Sequence, residues 1–200
     1  DEKTAGEINK LFFEVILAPD YDQEAYSLLS QNKKRIILQL RSMQFGKKQF
    51  RSVLNGVLEQ DRDVKSESRQ DMEVVTDKTP SDQEYIDLEF ANKIVKQTKS
   101  NAIVLVKNKQ MLASGVGQTS RVDALKQAIE KATTFAFDLK GSVMASDAFF
   151  PFSDSVEIAH RAGVTAVIQP GGSIRDEDSV SYCNSNGVAM VFTGVRHFKH

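Results

Sequence analysis

The stretch Ser142–Gly172, SVMASDAFFPFSDSVEIAHRAGVTAVIQPGG, decides the fold. Ser142 to Ala145 reads as a strand and Asp147 to Phe152 as an aromatic, Pro-containing turn. Asp154 to Ala162 reads as a helix, and Val164 to Ile168 as a second strand running into Pro170-Gly171-Gly172. In open α/β sheets ligands bind in the crevice outside the strand ends, and Phe149-Phe150-Pro151-Phe152 occupies the turn that leaves one such end. The same cluster also describes a hydrophobic turn that seals the sheet edge.

Outward from this block, Val188 to Thr193 (VAMVFT) reads as the closing strand, leading into Gly194 and the tail. On the other side, Ala102 to Val106 is a continuous apolar run, as a strand buried on both faces shows. Asn108-Lys109 turns it into a strand from Met111 to Ser114, a hairpin-like link that implies a mixed sheet. Gly115-Val116-Gly117-Gln118-Thr119-Ser120 follows, then a long helix from Arg121 to Asp138. Ser81 with Glu84 forms a capping box for a helix reaching Lys96, with Tyr85, Leu88, Ala91, Ile94 and Val95 on one face.

The first part of the chain is read more coarsely. Thr4 to Asn9 is a short helix or its tail, Phe12 to Leu17 a strand interrupted by Glu14, Gln23 to Ser30 a helix and Arg35 to Leu40 a strand. Met43 to Leu58 reads as two short strands around Gly46, with Asn55-Gly56 as a tight-turn signal. Residues 61–80 are polar, charged and nearly free of large apolar side chains, so they read as a linker or exposed excursion. There is a faint repeat: Phe12 to Leu40 and Val164 to Thr193 both read strand, Pro, helix, strand, with VILAPDY set against VIQPGGS.

Composition narrows the function classes. Two hundred residues suffice for one large domain or two small ones. Apolar residues make up 40% and charged residues 26%, ordinary for a globular chain, and a net charge of −1 without a basic run argues against nucleic acid. Cys183 is the only cysteine, which excludes an internal disulfide and points to a reducing, cytoplasmic setting. No apolar run approaches membrane-spanning length. The opening DEKTAGEINK has the pattern of neither a signal nor a transit peptide, and without an initiator Met it reads as a cut from a longer chain.

Several residues are able to carry chemistry. The order strand, GVGQTS, helix suits an anion, because glycines admit close approach and a helix N-terminus presents free amides. It matches neither the dinucleotide nor the phosphate-loop pattern. On spacing alone the plainer reading leads, in which Ser120 caps the helix and Arg121 faces water. Arg196 is either a solvated tail charge or a planar cation suited to phosphate or carboxamide recognition. Glu14 either points to solvent at a sheet edge or meets a ligand hydroxyl. Asp154 precedes a helix it could cap. Zinc is not expected, since one cysteine and His160, His197 and His200 lack ligand spacing, and the deaminase HxE and PCxxC signatures are missing. A hydrolase has no GxSxG elbow to start from. His160 reads as a surface residue, and His197 and His200 as tail residues without a chemical role.

Three blocks together resemble the AICAR transformylase family, the formyltransferase half of the bifunctional purine biosynthesis protein, whose other half is an inosine monophosphate (IMP) cyclohydrolase. They are Lys99 to Ala132, the Ser146 region SDAFFPFSDSVEIAHRAG with its following strand and PGGS turn, and the terminal VRHFKH. The resemblance implies a three-layer α/β/α fold with cytidine-deaminase-like mixed sheets. Residues 1–60 would end a first transformylase subdomain, of which only the second half is represented, and 81–200 would form a complete second one. It also implies formyl transfer from 10-formyltetrahydrofolate to AICAR, sites formed across a homodimer, and a carboxyl-terminal origin for this chain.

Residue by residue, the resemblance puts Arg121, Arg196, Asn101, Phe149 and Glu14 on nucleotide contacts, with Glu14 replacing an aspartate of some relatives. Val122, Asp154, Ser173 and Ile174 fall on positions lining the folate. Thr98, Ser100 and Asp147 fall where the family can hold a monovalent cation such as potassium. The family's catalytic Lys-His pair in a KHxxPAG-type motif has no counterpart, so no catalytic residue is expected in this chain and the fragment alone is expected to be inactive. Two other classes remain open: a non-catalytic nucleotide-binding module of the same fold, and a purely structural α/β domain.

Overall fold

The computed structural model describes residues 1–42, 44 and 46–199. The chain divides into two units, Asp1–Arg62 and a larger one from Asp63 onward.

The first unit begins with α1 (Glu2–Asn9), whose N-cap Asp1 accepts the Thr4 amide at 2.8 Å. Strand β1 (Val15–Ala18), α2 (Gln23–Leu29) and β2 (Ile36–Gln39) follow, and β1 and β2 pair in parallel. Their inward residues Ile16 and Ile37 pack with Ala5, Ala25 and Leu29. The strand expected at Phe12 to Leu17 starts later, because its register is set by pairing Val15 with Ile36; Phe12 is left exposed. A hairpin of β3 (Lys48–Val53) and β4 (Gly56–Asp61) closes the unit, pairing Val53 with Gly56. Its reversal is therefore at 54–55, beside the Asn55-Gly56 signal, and not at Gly46. Met43, at the start of the expected strand pair, lies outside the described residues, as does His200.

In the second unit six strands form one sheet in the order β5-β10-β9-β8-β6-β7. In chain order these are β5 (Glu73–Val74), β6 (Ile103–Lys107), β7 (Gln110–Gly115), β8 (Ser142–Ser146), β9 (Val164–Gln169) and β10 (Ala189–Phe192). Strands β8, β9 and β10 are parallel, while β6, β7 and β5 run antiparallel to their neighbours. The sheet is mixed, as the Asn108-Lys109 turn requires.

Side-chain alternation along the strands divides the core into two layers. Val104, Val106, Val143, Ala145, Ile168 and Val191 pack under α3 (Asp82–Val95), through its Tyr85, Leu88, Ala91 and Val95. Ile103, Leu105, Met144, Val167 and Met190 face α4 (Arg121–Thr134), α5 (Asp154–Ala162) and α6 (Asp176–Asn186). The result is α/β/α. The capping box holds: the Ser81 amide donates to Glu84 Oε2 at 2.8 Å and the Glu84 amide to Ser81 Oγ at 3.3 Å. Helix α4 ends before the expected Asp138, because Ala136 turns left-handed at φ 56° and the Phe137 amide bonds back to the Ala132 carbonyl.

Residues 63–80 are neither a linker nor an exposed excursion. Strand β5 pairs with β10, Met72 packs in the α3 layer, and the Met190 amide donates to Thr76 Oγ1 at 2.8 Å. Glu67 is 1% exposed. The segment is polar because several of its partners are polar, a pattern that composition alone does not distinguish from a solvated linker.

Candidate functional site

The register gathers several loops at one end of the six-stranded sheet. Ile103 pairs with both Ser146 and Gly115, Ala145 with Ile168, and Gln169 with Phe192. Asn101, the loop after Gly115, Asp147 to Phe152, Pro170 to Ser173 and the tail after Phe192 therefore all emerge along that edge. It includes the carboxyl ends of the parallel strands, where an α/β sheet opens a crevice.

Gly115 is demanded by close packing, since a Cβ there would lie 1.7 Å from the Ala124 carbonyl oxygen. Strand β7 thus runs against α4 and delivers the chain into its N-terminus. The expected cap is present, with the Asp123 amide donating to Ser120 Oγ at 3.1 Å. Arg121 does not face water: its side chain is 13% exposed, and its Nη2 lies 3.4 Å from Oδ1 of Asp147, which is fully buried. Burial pulls the guanidinium below its usual pKa; Asp147 opposes that, and Arg196 adds to it. Arg121 stays charged, as guanidinium does in proteins. Arg121 Nε and Asp147 Oδ2 are both buried without a hydrogen-bond partner. Buried polar groups are normally paired, so each atom retains capacity for a further contact.

Arg196 approaches from the tail. Its guanidinium lies 4.5 Å from the centre of the Phe149 ring, within cation–π range. Gly172 sits beside it, its Cβ position 3.7 Å from Arg196 Nη2. Asn101 is half-buried and donates through Nδ2 to the Gln118 carbonyl at 3.0 Å, tying the start of β6 to the glycine loop. Asn101, Arg121, Phe149 and Arg196 are thus brought to one edge. Glu14 is exposed in the first unit, just ahead of β1.

The folate candidates border the same loops. Val122 is half-buried in the first turn of α4, and Asp154 is exposed as the first residue of α5. Asp154 does not precede the helix as a cap, a position Ser153 takes; its carboxylate accepts the Ser155 amide at 2.7 Å. Ser173 is half-buried, its amide held by Asp176 Oδ2 at 3.0 Å, and Ile174 is fully exposed. Arg175 lies 5.0 Å from the Phe152 ring and joins this loop to the aromatic turn. Of the cation candidates, Thr98 Oγ1 donates to the Val95 carbonyl at 2.6 Å and Ser100 Oγ accepts the Lys199 amide at 3.0 Å. Asp147 Oδ2 is buried without a hydrogen-bond partner. Among the described residues no cluster of three or more His, Cys, Asp or Glu side chains suits a metal, and no helix is long and apolar enough to cross a membrane.

His197 differs most from its sequence reading. It is 1% exposed, with Nδ1 2.6 Å from Asp63 Oδ2 and Nε2 3.0 Å from Glu67 Oε2. No local signal marks this contact, because its partners lie more than a hundred residues away in a stretch that reads as a linker. His160 is half-buried in α5, its Nδ1 3.2 Å from the Tyr182 hydroxyl.

Comparison with known proteins places this architecture. The family model described as AICARFT/IMPCHase bienzyme matches residues 1–131, and the chain belongs to that family. It is 65% identical over its whole length to the bifunctional purine biosynthesis protein PurH of Bacteroides thetaiotaomicron and 50% identical to that of Aquifex aeolicus. In each case it covers 39% of the relative, so it spans about two fifths of their length. Among solved structures, the apo dCMP deaminase of cyanophage S-TIM5 aligns with a TM-score of 0.40 at 18% identity, covering 56% of this chain and 98% of that one. A diaminohydroxyphosphoribosylaminopyrimidine deaminase/reductase of Thermotoga maritima aligns at 0.36 and 18%, covering 54% and 34%. Likeness at this level assigns no chemistry.

Proposed function

We propose that the chain is the carboxyl-terminal, transformylase part of a bifunctional purine biosynthesis protein, a cytoplasmic homodimer. It would hold AICAR and 10-formyltetrahydrofolate for formyl transfer. The observation that carries this reading is the pairing of two arginines at one sheet edge: Arg121 beside Asp147 with a buried free Nε, and Arg196 over Phe149.

The exocyclic amine of AICAR is a poor nucleophile, because the neighbouring carboxamide withdraws its electron density. Transfer therefore requires the amine to be oriented against the formyl carbon and deprotonated, and the oxyanion that develops on the formyl oxygen to be stabilised. In this chain Arg121 and Arg196 supply fixed cationic forks for the nucleotide, Phe149 an aromatic face and Asn101 a polar contact. Val122, Asp154, Ser173 and Ile174 would line the folate. Thr98, Ser100 and Asp147 would hold a potassium ion, which would offset the buried Asp147 charge. The base belongs to a Lys-His pair outside this sequence, so the chain binds and orients but does not turn over.

Calorimetric titration with AICAR tests this. The chain is expected to bind, and Arg121→Ala and Arg196→Ala each to weaken binding roughly ten- to a hundredfold, since a hydrogen bond to a charged group contributes about 1.5–3 kcal/mol. Absence of binding, or affinity untouched in both variants, would contradict it.

A further inference from the structure

The end of the chain is an anchored arm. The Ser100 amide donates to the Lys199 carbonyl at 2.9 Å, the Lys199 amide to Ser100 Oγ at 3.0 Å, and the His197 amide to the Asp147 carbonyl at 2.9 Å. His197 follows Arg196 directly, so the bonds that hold the backbone at His197 and Lys199 also limit where the Arg196 side chain starts. Arg196 lies over Phe149, and His197 enters a closed cluster of charged and polar groups.

That cluster is built for the imidazole. Both ring nitrogens face carboxylates, Asp63 at 2.6 Å and Glu67 at 3.0 Å. Asn92 Nδ2 donates to the same Glu67 oxygen at 2.9 Å. Lys96 Nζ lies 3.6 Å from Asp63 Oδ1, donates to Ser66 Oγ at 3.3 Å and bonds the Lys65 carbonyl. Removing one member of so buried a group leaves the others uncompensated.

We propose that His197 is a positioning residue for the nucleotide: clamped by Asp63 and Glu67, it fixes the register of the terminal arm and so holds Arg196 over Phe149. The importance of that placement rests on the reading of Arg196 as a nucleotide contact, but the placement itself is measurable without ligand. Protons of the Arg196 side chain stacked on the Phe149 ring are shifted upfield in the NMR spectrum, an assignment made with Phe149→Leu.

His197→Ala is expected to abolish that shift and to weaken AICAR binding about as much as Arg196→Ala, tenfold or more. The double variant should lose nothing further, and His197→Gln, which keeps reach to one carboxylate, should restore part of the shift. If His197→Ala does not fold, Asp63→Ala, at the partly exposed edge of the cluster, decides by the same shift. A shift that persists in the folded variant overturns the proposal. So do losses that multiply in the double variant, because His197 would then act other than through Arg196. Loss of the shift in a chain that binds no AICAR would uphold the positioning role and remove the nucleotide reading instead.

Discussion

The molecule contains the same local unit twice, strand–Pro–helix–strand, in two different settings. In the first unit β1 and β2 pair in parallel around α2; in the second, β9 and β10 do so around α6. With the strand ends before the two prolines matched, Ala18 of β1 against Gln169 of β9, Leu17 corresponds to Ile168. Leu17 is 55% exposed and Ile168 is fully buried. Along β1 and β2, Val15, Leu17, Ile36 and Leu38 form an outward apolar row while only Ile16 and Ile37 face helices. Along β9 and β10 both faces are covered. Parallel strands are ordinarily buried on both faces, so the burial each copy gains depends on how many of its faces are covered as well as on its own sequence.

The largest test of that contrast is the matched pair. Ile168→Ala should cost about 2–5 kcal/mol, as buried aliphatic truncations do, while Leu17→Ala should stay within about 0.5 kcal/mol, both read by denaturant unfolding. A cost at Leu17 equal to that at Ile168 would show its face to be covered in solution. Next in size, Gly115→Ala should cost about 1–3 kcal/mol or more, because the Cβ meets the Ala124 carbonyl in the strand–helix contact; thermal unfolding reads it.

Cys183 reports on the covered copy. Burial in α6 pushes its thiol up to about 12 from 9.0. The unfolded chain releases this proton first, so its contribution is complete below about pH 9 and is lost as pH rises toward about 12. The loss is at most about 1.4 kcal/mol per pH unit. Cys183→Ala should flatten the pH dependence of stability over that range, and an unchanged slope would contradict the burial. Smallest is the comparison of caps. Ser81→Ala should cost about 1 kcal/mol, whereas Asp22→Ala should cost less, because Asp22 makes no side-chain cap bond to α2; chemical denaturation of the two variants checks this.

What the sequence made legible was local and periodic. The Ser142–Gly172 block, the Ser81–Glu84 box and the run from Ala102 announce themselves through alternation, capping chemistry and apolar continuity, and the structure keeps them. The strand expected at Phe12 to Leu17 begins a few residues later because pairing, not composition, sets the register. Residues 63–77 were illegible for a different reason: they are joined to the unit partly by polar contacts, which resemble solvation until the partner is known. That Asn101, Arg121, Phe149 and Arg196 share one sheet edge is not legible from spacing, since no spacing rule links a helix start to a residue 75 positions on. His197 was missed, because nothing nearby in sequence announces a buried imidazole.

The central claim is that the sheet edge around Arg121 and Arg196 receives a nucleotide. Amide hydrogen exchange with and without AICAR tests it most directly. Added protection is expected at Gly115–Val122 and Val195–Lys199, the amides of the glycine loop, the start of α4 and the terminal arm. Protection confined to other segments, or none at saturating AICAR, would contradict it.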